Sequence, residues 1–442
     1  MFGTQRLFRQ IGITLTAQRL AALLALPPCL TIAASPELPG GPEYRGEIRR
    51  GPDGSLTVTP LSAGNSGEPR TLQVGRLHPY ATIAAAAKDA RNGDTVEIEA
   101  GDYVGDVAIW AQDNLTIRAV GGRAKLFANG RHVERKGIWI VRGGNITVEN
   151  IEFHDAKVEH RNGAGIRFEK GHLILRNCAF FDNENGILTH NDEISELEIE
   201  SSEFARNGYG DGQTHNIYVG SIKRFTLTGS YSHHANVGQL VKSRAQESYI
   251  LYNRLTDETG RASYEIDLPS GGIAYVIGNI IQQSPNAING HFISFGVEGY
   301  KWDKNELFLI NNTLIDNRPA NGRFLLLKPG PGHVTAINNL TYGPDTLNPA
   351  DRSGGPPPNT AQLPGTYQNN LRARLDDFTH PENYDYTLKA SSKLRNAAVN
   401  PENLKKLKFL PQRQYVHPMK TIELQRQPAH PGAIQVDSNQ TK

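Results

Sequence analysis

Short apolar segments that end in asparagine recur through the middle of the chain at a nearly constant spacing. Three of the steps between them are 26 or 27 residues long. The members of this series are Asn150, Asn177, Asn253, Asn279, Asn312 and Asn339. A fixed period of this size is typical of a solenoid or a propeller, and not of a single globular core.

Two serines continue the series where asparagine is missing. Ser202 and Ser230 fill the same position, so that the repeat continues with steps of 25, 28 and 23 residues. The one long step, 33 residues before Asn312, contains an insertion at residues 299–304. Asparagine suits a corner of such a repeat, because it adopts left-handed backbone conformations and its amide can stack on the same residue in the next coil.

Each period contains a second short strand with an apolar residue at its centre. These anchors are Ile166, Ile187, Ile217, Val241, Ile266 and Ile293. Alternating polarity with Gly or Asn at the corners indicates strands stacked coil upon coil. Helical periodicity is absent here, and propeller blades need about 40 residues per repeat. The pattern predicts an all-β fold, a parallel β-helix solenoid of about ten coils.

The two ends of the repeat resemble a known family. Residues 80–90 form an Ala-rich amphipathic segment that predicts a helix capping the solenoid. This helix, the run Gly93-Asp94-Thr95-Val96 and residues 101–103 resemble the opening of the pectate-lyase-like right-handed β-helix superfamily. Residues 385–394 resemble the segment that closes many of its bacterial members. The resemblance covers about residues 76–400 and implies a right-handed parallel β-helix with an N-terminal capping helix.

The first 34 residues have the features of an export signal. Arg6, Arg9 and Arg19 precede a short apolar run at residues 21–26, and small residues follow at 33–35. A basic start, an apolar run too short to span a bilayer and a small-residue cleavage site predict a secretory signal peptide. We therefore expect a periplasmic or secreted protein.

Composition excludes two classes of protein. The 47 basic and 45 acidic residues carry no electrostatic signature of nucleic-acid binding. Removal of the signal peptide changes the net charge from +2 to −1, since residues 1–34 hold three Arg and no acid. Cys178 is then the single cysteine, so the chain is not a disulfide scaffold and depends on packing for its stability.

These observations divide the chain into five parts. The tail is charged and rich in Gln, and we expect it to pack along the outside of the coils or to fray. The parts are a signal peptide (1–34), an N-terminal extension (35–75), the parallel β-helix (76–340), a Pro/Gly-rich loop with a closing strand segment (341–400) and a C-terminal tail (401–442).

The second strands predict a column of polar side chains on the outside of the solenoid. If the anchors point inward in register, their successors share one outward face: Arg167, Leu188, Tyr218, Lys242, Asp267 and Ser294. Glu265, one residue before its anchor, is expected on the same face. Because coils stack about 4.8 Å apart, Tyr218, Lys242 and Asp267 would span about 10 Å.

This column suits the chemistry of uronic acids. A cation neutralises the sugar carboxylate and so acidifies the neighbouring C–H bond, while Tyr218 or a nearby histidine moves the protons. Histidines are frequent in the adjacent coils, and arginines beside them can bind a carboxylate bidentately. We predict Lys242, Tyr218, His215 and Arg244 as catalytic residues, and Asp267, Glu265, His190, His234, Arg261 and Arg167 as substrate-binding residues.

The residues leave several functions open. We expect a polysaccharide lyase that cleaves an acidic glycan by β-elimination. Residues 215–221 and 241–243 also resemble the pattern of polygalacturonase-like hydrolases, but the paired aspartates that hydrolysis needs have no convincing match. A non-catalytic carbohydrate-binding protein is a third possibility, since the superfamily includes such members, and an external ladder of polar side chains explains the column equally well.

The expected partners follow from the lyase interpretation. The partner is an acidic polysaccharide, with no nucleic acid and no membrane span, and we expect a monomer. No cofactor is required. Calcium remains an alternative, because in some lyases of the superfamily it neutralises the carboxylate, and Asp211, Asp257 and Glu258 are available as ligands.

Overall fold

A computed structural model describes residues 46–50, 56–60, 68–320, 322–348, 365–402 and 409–435. The predicted signal peptide lies outside these residues. The chain divides into two units, residues 1–67 and residues 68–442. In the first unit, β1 (Gly46–Arg50) and β2 (Leu56–Pro60) form an antiparallel pair.

The second unit consists almost entirely of short strands. It begins with β3 (Thr71–Val74), α1 (Ile83–Asp89), β4 (Thr95–Val104), β5 (Ala108–Trp110), β6 (Leu115–Phe127), β7 (Gly137–Val141), β8 (Asn145–Glu149) and β9 (Ile151–His154). It continues with β10 (Ala164–Phe168), β11 (His172–Arg176), β12 (Ala179–Phe181), β13 (Asn185–Thr189), β14 (Glu196–Glu200), β15 (Glu203–Ala205), β16 (Ile217–Val219), β17 (Arg224–Thr228), β18 (Tyr231–His233), β19 (Val241–Ser243), β20 (Glu247–Leu251) and β21 (Arg254–Thr256).

The later coils and the closing segment complete the unit. The strands are β22 (Ile266–Leu268), β23 (Ile273–Ile277), β24 (Ile280–Gln283), β25 (His291–Phe295), β26 (Glu306–Ile310), β27 (Thr313–Asp316), β28 (Arg323–Leu327), β29 (His333–Ile337), β30 (Leu340–Tyr342), β31 (Gly365–Gln368), β32 (Leu371–Arg372), β33 (Phe378–His380), β34 (Asp385–Leu388), β35 (Arg413–Val416) and β36 (Lys420–Glu423). Two 3₁₀ turns lie at Leu375–Asp377 and Pro381–Asn383.

Successive coils contribute one strand each to three parallel ladders. The front sheet has nine strands in the order β5-β7-β10-β13-β16-β19-β22-β25-β28. The middle ladder runs through β3, β4, β6, β8, β11, β14, β17, β20, β23, β26, β29 and β31. The back ladder runs from the second half of β6 through β9, β12, β15, β18, β21, β24, β27, β30 and β32. The predicted all-β parallel β-helix is confirmed, with about eleven turns.

The solenoid extends beyond the predicted limits of residues 76 and 340. At one end β3 pairs in parallel with β4, and at the other β31 and β32 pair with β29 and β30. Helix α1 follows β3 and buries Ile83, Ala86 and Ala87 in the core. Its role as a cap stays a prediction. No helix among the described residues is long and apolar enough to span a membrane.

The interior of the coils is filled by stacked apolar side chains. The predicted anchors of the front sheet, Ile166 to Ile293, are fully buried. Behind them, the rings of Phe153, Phe180 and Phe204 stack coil upon coil at centroid separations of 4.9 and 4.6 Å. A solenoid repeats one packing solution in this way, because each coil buries its apolar residues against its two neighbours.

A ladder of polar side chains runs inside the corner between the middle and back ladders. Its members are Cys178, Ser202, Ser230, Asn253, Asn279, Asn312, Asn339 and Asn370. Each side-chain oxygen from Ser202 onward accepts a hydrogen bond from the backbone N–H of the preceding member, at 2.9–3.2 Å. The predicted stacking of amides and the placement of Ser202 and Ser230 in the same series are confirmed.

Two of the asparagines in the predicted series occupy a different position. Asn150 and Asn177 have left-handed backbone, with φ of 62° and 49°, and lie one residue before the ladder, where Asn311 and Asn338 also lie. The corner therefore uses two consecutive residues, a left-handed one and a buried ladder member. Asparagine suits both positions, so the repeat alone does not separate them.

The C-terminal tail packs along the outside of the coils over its described residues, 409–435, as predicted. Phe409 contacts the rings of Tyr275 and Phe308 with centroids 5.0 and 4.8 Å apart. The backbone N–H of Gln412 donates to the hydroxyl of Tyr252 at 3.0 Å. The tail thus covers aromatic side chains on the outer face of the middle ladder.

The asparagine ladder predicts a large penalty for breaking one rung. In Asn279→Ala, the backbone N–H of Asn253 and the carbonyl of Ile250 lose their buried partners. Each unsatisfied group costs about 1–3 kcal/mol, so we expect a drop of about 2–5 kcal/mol in the free energy of unfolding, measured by urea denaturation. Asn145→Ala, which removes one exposed amide contact with Asn114, should change it by less than about 0.5 kcal/mol. Equal effects would contradict a structural role for the ladder.

Candidate active site

The register of the front sheet matches the prediction residue by residue. Arg167 pairs with Leu188, Leu188 with Tyr218, and the column continues through Lys242, Asp267 and Ser294. Strand alternation directs these side chains away from the buried anchors. The column predicted on the outer face is therefore present.

Lys242 lies between two carboxylates. Its ammonium nitrogen is 3.1 Å from Oδ2 of Asp267 and 3.3 Å from Oε1 of Glu298. Asp267 also accepts a hydrogen bond from the hydroxyl of Ser294. Lys242 is 8% exposed, so this ion pair is shielded from water and holds the ammonium group in a fixed position.

Two cations flank the ring of Tyr218. The ammonium nitrogen of Lys242 is 5.7 Å from the ring centroid, and the guanidinium carbon of Arg244 is 5.3 Å from it. The ring of His215 packs against the same ring with centroids 4.7 Å apart. The four predicted catalytic residues therefore lie together, centred on Tyr218.

His215 is a neutral side chain in this arrangement. It is 1% exposed, and burial, followed by the charges of Lys242 and Arg244, holds its pKa well below the usual range. Its Nδ1 accepts a hydrogen bond from the backbone N–H of Gln239 at 3.1 Å. The remaining ring proton is then on Nε2, which can donate a hydrogen bond but has no lone pair to act as a base.

A cleft of about 530 Å³ opens over the early part of this column. Its lining holds three arginines, two histidines and one carboxylate. The lining residues are His160, Arg161, Asn162, Arg167, Asn185, Leu188, Thr189, His190, Asn191, Asp211, Gln213, Thr214, Tyr218, Gly220 and Arg244. The cleft is thus locally cationic in a chain that is nearly neutral.

Arg167 is the cation in the cleft that is best placed to receive an anion. Its side chain is partly buried, and desolvation lowers the pKa of its guanidinium. No side chain or backbone group among the described residues accepts a hydrogen bond from it, and its Nε is buried without a partner. A guanidinium in this condition gains from a bound carboxylate more than a solvated one does.

The remaining substrate-binding candidates are distributed differently. His190 is exposed and lines the cleft, whereas His234 and Arg261 are not among its lining residues. His234 instead contacts His233 through the two Nδ1 atoms, 2.7 Å apart, at the end of the back ladder. Arg261 is an exposed residue of the loop before β22.

The prediction that Glu265 shares the outer face is wrong. Strand β22 begins at Ile266, so the alternation of side chains does not extend to Glu265, which turns into the corner and is 0% exposed. Its Oε2 accepts a hydrogen bond from Gln283 at 3.0 Å. Burial, followed by the nearby Asp257, raises its pKa well above the usual range.

The donor set of the cleft does not fit a calcium ion. Hard cations need several carboxylates and carbonyls close together. Asp211 is the one carboxylate among the described lining residues, and three arginines surround it. Of the other predicted ligands, Asp257 is buried and Glu258 is bonded to Arg254. We derive no step through calcium.

Sequence reasoning missed three residues that shape the site. Arg161 and His160 belong to a loop with no repeat signal, and Arg161 lies over the ring of Tyr209, 4.6 Å from its centroid. Glu298 adjoins the insertion at 299–304, and that interruption of the period was the available signal. A residue inserted between coils has no position in the repeat from which its direction can be predicted.

Comparison with known proteins supports the architecture. Residues 112–255 match the family model described as the right-handed β-helix region. The structure also resembles the crystal structure of pectate lyase Pel9A, with a TM-score of 0.50 and 14% sequence identity, covering 84% of this chain and 97% of that one. The protein has a pectate-lyase-like right-handed β-helix fold. No curated protein matches the chain. The β-helix assignment concerns the fold alone, because this fold hosts several activities.

The buried acids of this β-helix predict a stability that falls as pH rises. Burial raises the pKa of Asp257 to about 7, and that of Glu265 is also raised. The unfolded chain releases these protons near pH 4, whereas the folded chain keeps them. Above pH 4 the free energy of unfolding therefore falls, by up to about 1.4 kcal/mol per pH unit for each group, until the folded pKa is passed.

Glu265→Gln should reduce this decline. We expect a shallower dependence of the free energy of unfolding between pH 5 and pH 8, measured by urea denaturation. The control is Glu159→Gln, which changes an exposed acid paired with Arg135 and should leave the slope unchanged. Parallel curves for the Glu265 variant and the unchanged protein would show that Glu265 does not carry a proton in the fold.

Proposed function

We propose that the protein is an exported polysaccharide lyase that cleaves a uronate-containing glycan by β-elimination. The observation that carries the proposal is the cationic cleft with Tyr218 on its floor between Lys242 and Arg244. A polyuronate carries one carboxylate per sugar, so cations along a groove match it in charge and in spacing. Export rests on the signal-like features of residues 1–34.

Binding and activation use different arginines in this proposal. Arg167, which has no partner among the described residues, binds a uronate carboxylate away from the point of cleavage. Arg244 binds the carboxylate of the sugar that reacts, beside Tyr218. Neutralising that carboxylate acidifies the hydrogen on carbon 5, because the negative charge that develops there is delocalised onto the carboxylate oxygens.

Tyr218 moves the proton. Its phenolate oxygen takes the hydrogen from carbon 5 of a 1,4-linked uronate, and the released electron pair forms the double bond between carbons 4 and 5. The bond from carbon 4 to the glycosidic oxygen breaks, and that oxygen takes a proton from the phenol. Tyr218 is suited to this step because the Nδ1 lone pair of His215 is already engaged and Lys242 is ion-paired.

A glycoside hydrolase is disfavoured by the carboxylates. Hydrolysis needs two carboxyl groups flanking the bond, about 5–5.5 Å or about 6.5–9.5 Å apart. Asp211 is the one carboxylate among the described residues that line the cleft, and Asp267 is bonded to Lys242 and Ser294. A non-catalytic binder would need the cations alone and not the Tyr218 environment.

The reaction class can be tested with a panel of uronate-containing glycans. We expect ultraviolet absorbance from unsaturated uronate ends to increase together with new reducing ends, for at least one of polygalacturonate, alginate and glucuronate polymers. New reducing ends without that absorbance would identify a hydrolase. Retained binding with neither product would identify a binding protein.

Variants of two cleft residues separate chemistry from binding. Tyr218→Phe should lower kcat by at least about 100-fold with little change in KM, because it removes the group that moves the proton. Arg167→Gln should raise KM about 10-fold or more with a smaller effect on kcat, because it removes a charged contact to the glycan. Tyr249→Phe, on the outer face of the middle ladder, is the control and should retain full activity. Activity of Tyr218→Phe close to that of the unchanged protein would exclude the proposed base.

A further inference from the structure

The insertion that interrupts the repeat crosses the column of the front sheet. We call residues 296–305, between β25 and β26, the insertion loop. Its Glu298 accepts hydrogen bonds from Nε and Nη2 of Arg244, at 2.8–2.9 Å, so that the carboxylate and the guanidinium meet through both oxygens. The same carboxylate lies 3.3 Å from the ammonium nitrogen of Lys242.

Contacts on both sides hold the loop in this position. The backbone N–H of Lys301 donates to the carbonyl of Ser270, and its side chain forms an ion pair with Glu193 at 2.6 Å. The indole N–H of Trp302 donates to the carbonyl of Arg244 at 3.2 Å. The loop thus reaches back from the coil of β25 to the coil of β19, which carries Lys242 and Arg244.

The geometry around Glu298 is that of a bound carboxylate. A guanidinium fork that meets both oxygens of a carboxylate is the strongest form of this contact and the one that a uronate would make. Glu298 is 47% exposed and Arg244 is 19% exposed, so solvent and solutes reach the pair. An ion pair as exposed as this contributes little to stability and is readily exchanged for another anion.

Arg244 and Lys242 cannot hold Glu298 and a substrate carboxylate in the same way at the same time. We propose that Glu298 occupies the carboxylate subsite of the cleft as an internal substitute for the substrate, and that an acidic glycan displaces it and moves the insertion loop. This inference rests on the proposed function, because it takes the ligand of Arg244 to be a uronate. A neutral glycan cannot replace the charge of Glu298, so the loop also selects for acidic glycans.

Tryptophan fluorescence reports the position of the loop. Trp110 and Trp139 are fully buried in the core, whereas Trp302 is partly exposed on the insertion loop beside Lys301. We expect hexagalacturonate or hexaguluronate to change the emission of the protein in a saturable way. Neutral cellohexaose should not change it, and Trp302→Phe should abolish the response.

Removal of the internal carboxylate should strengthen binding. Glu298→Gln keeps the size of the side chain but not its charge, and we expect the Kd for the acidic hexasaccharide to fall about 3- to 10-fold, measured by calorimetry. Glu247→Gln is the matched control. It breaks a comparable carboxylate–arginine pair, with Arg224, on the middle ladder and should leave the Kd unchanged.

The outcomes separate this inference from the proposed function. If no glycan is cleaved but Trp302 responds and Glu298→Gln binds more tightly, the lyase proposal fails and displacement holds. If unsaturated ends form but Glu298→Gln binds no more tightly, or the neutral glycan gives the same response, displacement is wrong and the lyase proposal stands. Absence of binding to both acidic hexasaccharides, by both proteins, would also overturn the displacement.

Discussion

Parallel hydrogen bonding between consecutive coils is the constraint on which the rest of this structure depends. It sets each coil about 4.8 Å from the next, so a residue type that recurs with the period becomes a continuous row along the axis. The row formed by Ser202, Ser230 and Asn253 satisfies buried backbone N–H groups that would otherwise have no partner. The same spacing brings Tyr218, Lys242 and Asp267 together on the front sheet. Structural and functional rows thus have one origin.

Most of the scaffold was predictable because it repeats. The anchors, the outward column and the polar ladder each follow from period and alternation, and even the substitution of serine for asparagine at Ser202 and Ser230 was recognisable. Asn177 shows the limit of this reasoning. Its side chain suits both the left-handed corner and the ladder, and its position one residue before Cys178 depends on which N–H groups face inward, which composition does not encode.

The candidate site was predictable only where it lies on strands. Tyr218, Lys242 and Arg244 project from strands or from the residue directly after one, so their register determined their neighbours. Glu265 lies one residue outside its strand, and its direction follows the buried corner instead. Glu298 and Arg161 lie in loops, whose course depends on contacts with distant coils, such as the ion pair of Lys301 with Glu193.

The charges around Tyr218 connect the scaffold to the proposed chemistry. Lys242 and Arg244 lie close enough to repel each other, and Asp267 and Glu298 offset that repulsion. Asp267 is 2% exposed and bonded to Ser294, so it belongs to the permanent framework, whereas Glu298 is partly exposed on a loop. Exchange of Glu298 for one uronate carboxylate conserves the net charge of this cluster. An acidic sugar can therefore enter without leaving a buried cation uncompensated, and a neutral sugar cannot.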